Sequence, residues 1–267
     1  MRPEVMLNTL RLARRSLAWW SVGIVALVAL MVAVYPSVRD NPAMDRILES
    51  YPDLIQAFVA FGGIVDYTSA PGYLGAELFS MMLPLLFIIA AIVAGSKAVA
   101  GEEEAGTLEF LLSLPVSRTR VLAEKMAAVA AEVVILGAVL FVALLVGTAV
   151  TGMDVGAGGL AAASFDVVAL AWLYGALAVL LGAAIGHRAL AGGIAAALAV
   201  LAYVVNGLAP LVDAIDALRP LSPWYHYADS AALTTGLDPV NVAVLLGITA
   251  AFVLIAPPLL RRRDIGV

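Results

Sequence analysis

Residues 101–125 read GEEEAGTLEFLLSLPVSRTRVLAEK: a charged run, an apolar run, then a basic cluster. The stretch lies between two long hydrophobic segments, 76–100 and 121–150, and sets how they are joined. Leu108, Leu111 and Leu112 recur at i, i+3, i+4 spacing and share one helical face. Thr107, after Gly106, is placed to cap the start of that helix, and Glu102, Glu103 and Glu104 suit the positive end of its dipole. Phe110 and Leu114 widen the apolar surface, leaving Glu109 and Ser113 as a narrow polar stripe. Pro115 cannot continue the helix. Ser117 is placed to cap the next one, which opens with Arg118 and Arg120. A helix this short and apolar needs two surfaces to cover it. One is its own bundle; the other is a partner's hydrophobic groove. Packing under its own bundle alone is the competing reading.

Working outward, apolar residues make up 63% of the 267 and charged residues only 13%. A soluble domain carries roughly 25% charged residues, and here the shortfall is gathered in blocks long enough to cross a ~30 Å hydrocarbon core. The chain reads as an all-α integral membrane protein with six transmembrane helices, at 17–35, 76–100, 121–150, 165–186, 189–209 and 240–260. No linker or internal repeat divides it, so one membrane domain is expected. Cysteine is absent, which rules out a disulfide framework. Residues 1–16 place Met6, Leu10 and Ala13 on one helical face and Arg11, Arg14 and Arg15 on the other, the pattern of an interfacial helix resting in the headgroups. The following apolar run is long for a signal peptide, and no A-x-A site follows it.

Twelve of the 15 basic residues fall on one side of this topology; only Arg39, Arg46 and Arg219 fall on the other. The positive-inside rule then places both termini in the cytoplasm of a multi-pass cell-membrane protein. Outside, the long segment 36–75 holds two candidate amphipathic helices, one with Met44, Ile47, Leu48 and Tyr51, the next with Leu54, Ile55, Phe58 and Val59. A second outer segment, 210–239, carries Trp224, Tyr225 and Tyr227 and reads as a re-entrant lid over an exit path or a cap on the bundle.

Inside the spans, Glu132 is the costly residue and a functional candidate. It lines a substrate path, or it is a protonated glutamic acid bonded within the bundle. Trp172, Tyr203 and Asn206 are further path candidates, with plain packing as the alternative for the aromatic residues. Glu77 and Asp166 read as markers of hydrated helix ends.

The run from Glu104 through Gly106, Thr107, Leu108, Glu109, Leu111, Leu112, Pro115 and Arg118, with Lys125 following, resembles the signature of ABC-2 type permeases, the membrane-spanning subunits of ABC transporters. The resemblance extends to the basic N-terminal helix, the six spans and the RRRDI tail at 261–265. It implies that residues 101–117 form a coupling helix docking on a separate ABC ATPase, which would bind ATP and Mg, and that a second permease chain completes the path. It also implies export, and the few charges in the spans suit a drug, antibiotic or lipid. Membrane lipid is the other expected partner, and no nucleic acid is.

Catalysis finds little support. No G-x-x-x-x-G-K-[ST] phosphate loop occurs, so the chain is not expected to be an enzyme or to bind a cofactor or metal itself. Only two histidines are present, one on each side, and no H-E-x-x-H or G-x-S-x-G occurs. A membrane scaffold or sensor docked to an ATPase, or an intramembrane enzyme, are the alternatives. ATP-dependent movement of a substrate separates a transporter from both.

Overall fold

In the computed structural model six helices among the described residues are long and apolar enough to cross a membrane. They are α1 (Glu4–Arg39), α2 (Ala70–Glu104), α4 (Arg118–Thr151), α5 (Ala157–Ile185), α6 (Arg188–Leu208) and α9 (Pro239–Arg261). Between them lie the short helices α3 (Thr107–Leu112), α7 (Asp213–Asp216) and α8 (Asp229–Thr235). The structure describes residues 4–39, 67–112, 116–227 and 229–263. The two amphipathic helices expected within 36–75, Pro115, and Asp264 with Ile265 lie outside the described residues.

Helix α5 is the axis of the bundle. It packs against α2, α4, α6, α8 and α9, and 67% of its most apolar window is buried, against 17% for α1 and α9. Small residues permit this. A Cβ on Gly95 of α2 would lie 2.4 Å from the Gly175 carbonyl oxygen of α5, so the two backbones are in direct contact there. Helix α1 instead packs along α4 and leaves Trp19, Val22, Val25 and Leu30 exposed on its outer side.

Two expected boundaries are corrected. Of the segment read as an interfacial helix, the described part, from Glu4 onward, is the first turns of α1, which runs 36 residues without a break. No Gly or Pro interrupts residues 4–20, and Thr9 Oγ1 bonds the Val5 carbonyl at 2.9 Å, as in any continuous helix. At 1.5 Å per residue α1 is about 54 Å long, well beyond a ~30 Å hydrocarbon core. The fourth span opens at Ala157 rather than at 165. Asp166 is consequently inside the helix and 1% exposed, not at a hydrated end.

Contacts sort the bundle into two ends. Val5 meets Glu124, Thr9 meets Lys125, Glu104 meets Arg188, and Arg263 meets Glu103, so the start of α1, the end of α9, α3 and the α5–α6 turn share one end. At the far end, the residues between α6 and α9 turn back onto the bundle. Trp224 Nε1 donates to the Ala199 carbonyl, Ser222 Oγ to that of Ala202, and Tyr227 Oη to that of Phe79. Trp224 and Tyr227 are buried and stack edge to face, with ring centroids 5.9 Å apart.

The Gly95–Gly175 contact generates a test. Gly95→Val should destabilise the bundle by about 1–3 kcal/mol through overpacking. Gly193→Ala, where a Cβ meets nothing within 4 Å, should change little. Thermal melting in detergent compares the two.

Candidate functional site

The site is built on the end of α2. A π-turn at Lys97–Gly101 precedes Glu102, Glu103 and Glu104, and its extra residue resets the direction in which they emerge from the span. Successive helical residues point about 100° apart, so three adjacent carboxylates reach three different segments.

Glu102 forms an ion pair with Lys125 of α4, and Lys125 Nζ also donates to Thr9 Oγ1 of α1 at 3.0 Å. Lys125 is only 3% exposed, so the charge is held by these partners rather than by water. Glu103 receives both Nη atoms of Arg263, at 2.5 and 3.0 Å. This is the bidentate geometry that makes arginine–carboxylate pairs strong. Arg263 Nη1 also donates to the Ala183 carbonyl at 3.2 Å, placing a cation at the negative end of α5. Gly186 makes that approach possible: its φ is +72°, and a Cβ there would lie 1.9 Å from Arg263 Nη2. Glu104 accepts from the Arg188 N–H at 2.8 Å, capping the start of α6, and its oxygen lies 3.4 Å from His187 Nδ1.

A fourth carboxylate completes the pattern. Glu124 of α4 accepts from the Val5 and Met6 N–H groups at 2.9 and 3.3 Å and is held by Arg120 Nε at 2.9 Å. The first turn of α1 is thus capped from another helix. None of these pairings was visible in sequence, where the glutamates read only as partners of a helix dipole. Three adjacent acids beside a π-turn are the signal that points to them.

Helix α3 hangs directly from this cluster. Gly106, with φ +70°, makes the turn from Glu104 into α3. Thr107 does not act as the cap expected of it; it is the first helical residue, and its hydroxyl donates to the Glu102 carbonyl at 3.1 Å. With Gly106 supplying the turn, Thr107 is already inside the helix. Leu108 is 1% exposed and sits with Val121, Leu122, Met126 and Leu260 in an apolar cluster, and Leu111 packs against that cluster. Burying Leu108 contributes about 2 kcal/mol to holding α3 on the bundle. Glu109 is exposed, as are Gly106 and Thr107. Leu112 is the last residue of α3. Ser117 caps α4 as expected, accepting from the Arg120 N–H at 3.3 Å. Arg118 donates to the Arg263 carbonyl at 2.9 Å. Beside α3 lies a cleft of about 780 Å³, bounded by the start of α1, the end of α2 and the start of α4.

The family comparison bears on this arrangement as a whole. The profile of a family described as ABC-2 family transporter protein matches residues 5–265. The chain belongs to the ABC-2 transporter family. It is therefore the membrane component of an ABC transporter, a type of permease that usually does not hydrolyse ATP itself, typically binds no cofactor and works with an ATPase partner. A search of curated proteins finds no match to the chain.

The four path candidates of this permease are not brought together. Glu132 lines a crevice of about 170 Å³ between α1, α2 and α4, together with Lys97. Trp172 packs against the apolar cluster below α3. Tyr203 and Asn206 are at the far end: Tyr203 stacks on Trp224 at 5.0 Å, and Asn206 Oδ1 lies 3.4 Å from Arg219 Nε.

The Glu103–Arg263 pair is measurable by a double-mutant cycle. Glu103→Ala and Arg263→Ala should each destabilise the chain, and the cycle should give a coupling of about 1–2 kcal/mol. Additive effects would mean that the pair contributes nothing of its own.

Proposed function

We propose that this permease is the transmembrane half of an ATP-driven exporter of amphiphilic substrates, such as a drug, antibiotic or lipid, and that α3 is its ATPase-docking helix. The observation that carries the reading is the double character of α3. Leu108 and Leu111 fix it to the bundle, while Glu109 is exposed, at the end of the molecule where the start of α1 and the end of α9 lie. The basic residues gathered at that end support its placement in the cytoplasm, where a soluble ATPase is available.

The mechanical logic follows from the ion pairs. A force applied to α3 meets Glu102, Glu103 and Glu104 first. Their partners belong to α4 and α1, to the end of α9 with α5, and to the start of α6. Movement of α3 is thereby shared among the spans instead of being absorbed by a flexible loop. Two copies, or this chain and a related one, would enclose the path between them.

The test is co-purification with the cognate ATPase. Glu109→Lys should weaken the complex at least about tenfold, the scale set by reversing one interfacial charge, without lowering the melting temperature of the permease. Undiminished association would remove α3 from the interface. ATP-dependent movement of substrate by the reconstituted complex is the second readout, and its absence in an intact complex would favour a scaffold.

A further inference from the structure

Helix α1 packs along α4 and meets α2 at residues 70–79, near the far end. Towards the α3 end, α1 and α2 leave two cavities between them: the cleft of about 780 Å³ beside α3 and the crevice of about 170 Å³ that holds Glu132. Both are floored by α4. Leu12, Lys97 and Glu102 line both, so the two adjoin. Together they run from Glu4 to Trp20, about 24 Å along α1.

The chemistry of the walls changes along that run. The mouth carries Glu4, Arg120, Glu124 and Lys125. The deep end is Leu17, Trp20, Ala90 and Leu136. Glu132 and Lys97 stand between the two. Glu132 lies about 12 Å beyond Glu124 along α4; it is partly buried and makes no hydrogen bond or ion pair among the described residues. An acid within a span is costly unless something answers its charge. Lys97 lines the same crevice and does not close on it. The other charges there have company elsewhere. Glu102 holds Lys125, and Arg188 also borders the neighbouring groove, where Glu104 stands.

One negative and one positive charge therefore line one crevice from two helices, with apolar wall beyond them. A ligand of single charge meets one of the two as a like charge, whereas a head carrying both signs is complementary to both. Water alone would hydrate the two charges, but it gains nothing from the apolar end. An apolar pocket with a few convergent polar groups is the usual form of a small-molecule site.

We propose that this cleft is where the exporter loads its cargo, and that the cargo is a zwitterionic amphiphile. Its ammonium group meets Glu132, its anionic group meets Lys97, and its hydrocarbon tail lies towards Trp20. The loading role rests on the exporter reading; the binding itself does not.

The experiment is photolabelling of the full-length permease, without an ATPase, in dodecyl maltoside. Three probes share a dodecyl tail bearing a diazirine and differ in the head: N-dodecyl-β-alanine is zwitterionic, dodecylamine cationic and dodecanoate anionic. Labelled peptides are mapped by mass spectrometry. The zwitterion should label residues 9–20 and 132–136 at least about tenfold more than either singly charged probe, the scale set by leaving one sheltered charge unanswered. Glu132→Gln and Lys97→Gln should each bring it down to the level of the other two. Ala13→Phe keeps both charges and fills the crevice from the α1 wall, and it should also lose the label. Each variant is compared at the melting temperature of wild type. Equal labelling by the three probes, labelling spread outside these segments, or undiminished labelling in Glu132→Gln or Ala13→Phe would overturn the proposal. With no ATPase present, these outcomes are independent of the docking test on α3. In vesicles holding the permease with its ATPase, ATP should move the zwitterion in wild type and not in Glu132→Gln; equal movement by both would overturn the loading role.

Discussion

The end of this permease that carries α3 depends on one turn of helix. Glu102, Glu103 and Glu104 follow a π-turn at the end of α2, and each is bound to a different part of the chain. Charges at the edge of a membrane span are costly to leave unpaired and weak when fully hydrated. Here they are partly sheltered and satisfied by arginine, lysine and helix-terminal N–H groups. Three of these groups serve the ends of helices other than their own: Glu124 caps α1, Glu104 caps α6, and Arg263 closes α5. The spans are thus joined through their ends by electrostatics and along their lengths by close apolar contact.

This division explains how α3 can be both fixed and accessible. Its apolar side is held by Leu108 within a cluster drawn from α4 and α9. Its connection to α2 is short, with Gly106 in the left-handed region and the Thr107 hydroxyl tied back to Glu102. A helix bound in this way has little freedom of its own. Whatever displaces it displaces the ends of the spans.

The spans were legible in the sequence because hydrocarbon thickness selects for length and hydropathy, and those are local properties. Ser117 as the cap of α4 and the apolar face of Leu108 and Leu111 were legible for similar reasons: each depends on residues within a few positions. Helix ends beyond the apolar core were not. The unbroken α1 reaches Glu4 because Glu124, more than a hundred residues later, satisfies its first N–H groups. Asp166 looked like a boundary because its burial comes from the packing of the bundle, which leaves no local mark in the sequence. The partners of the three glutamates were invisible for the same reason, since ion pairs between distant segments leave no period in the chain.

The π-turn at Lys97–Gly101 has a consequence beyond aiming the glutamates. It stores one residue more than an α-helix needs at that place. Were it to relax to α-helical pairing, everything after it would turn by about 100° and shift along the axis by about 1.5 Å, with no helix unfolded. The two ion pairs and the hydrogen bond of Glu104 hold that surplus residue in place. The end of α2 is in this sense a screw with one thread of play, locked by charge.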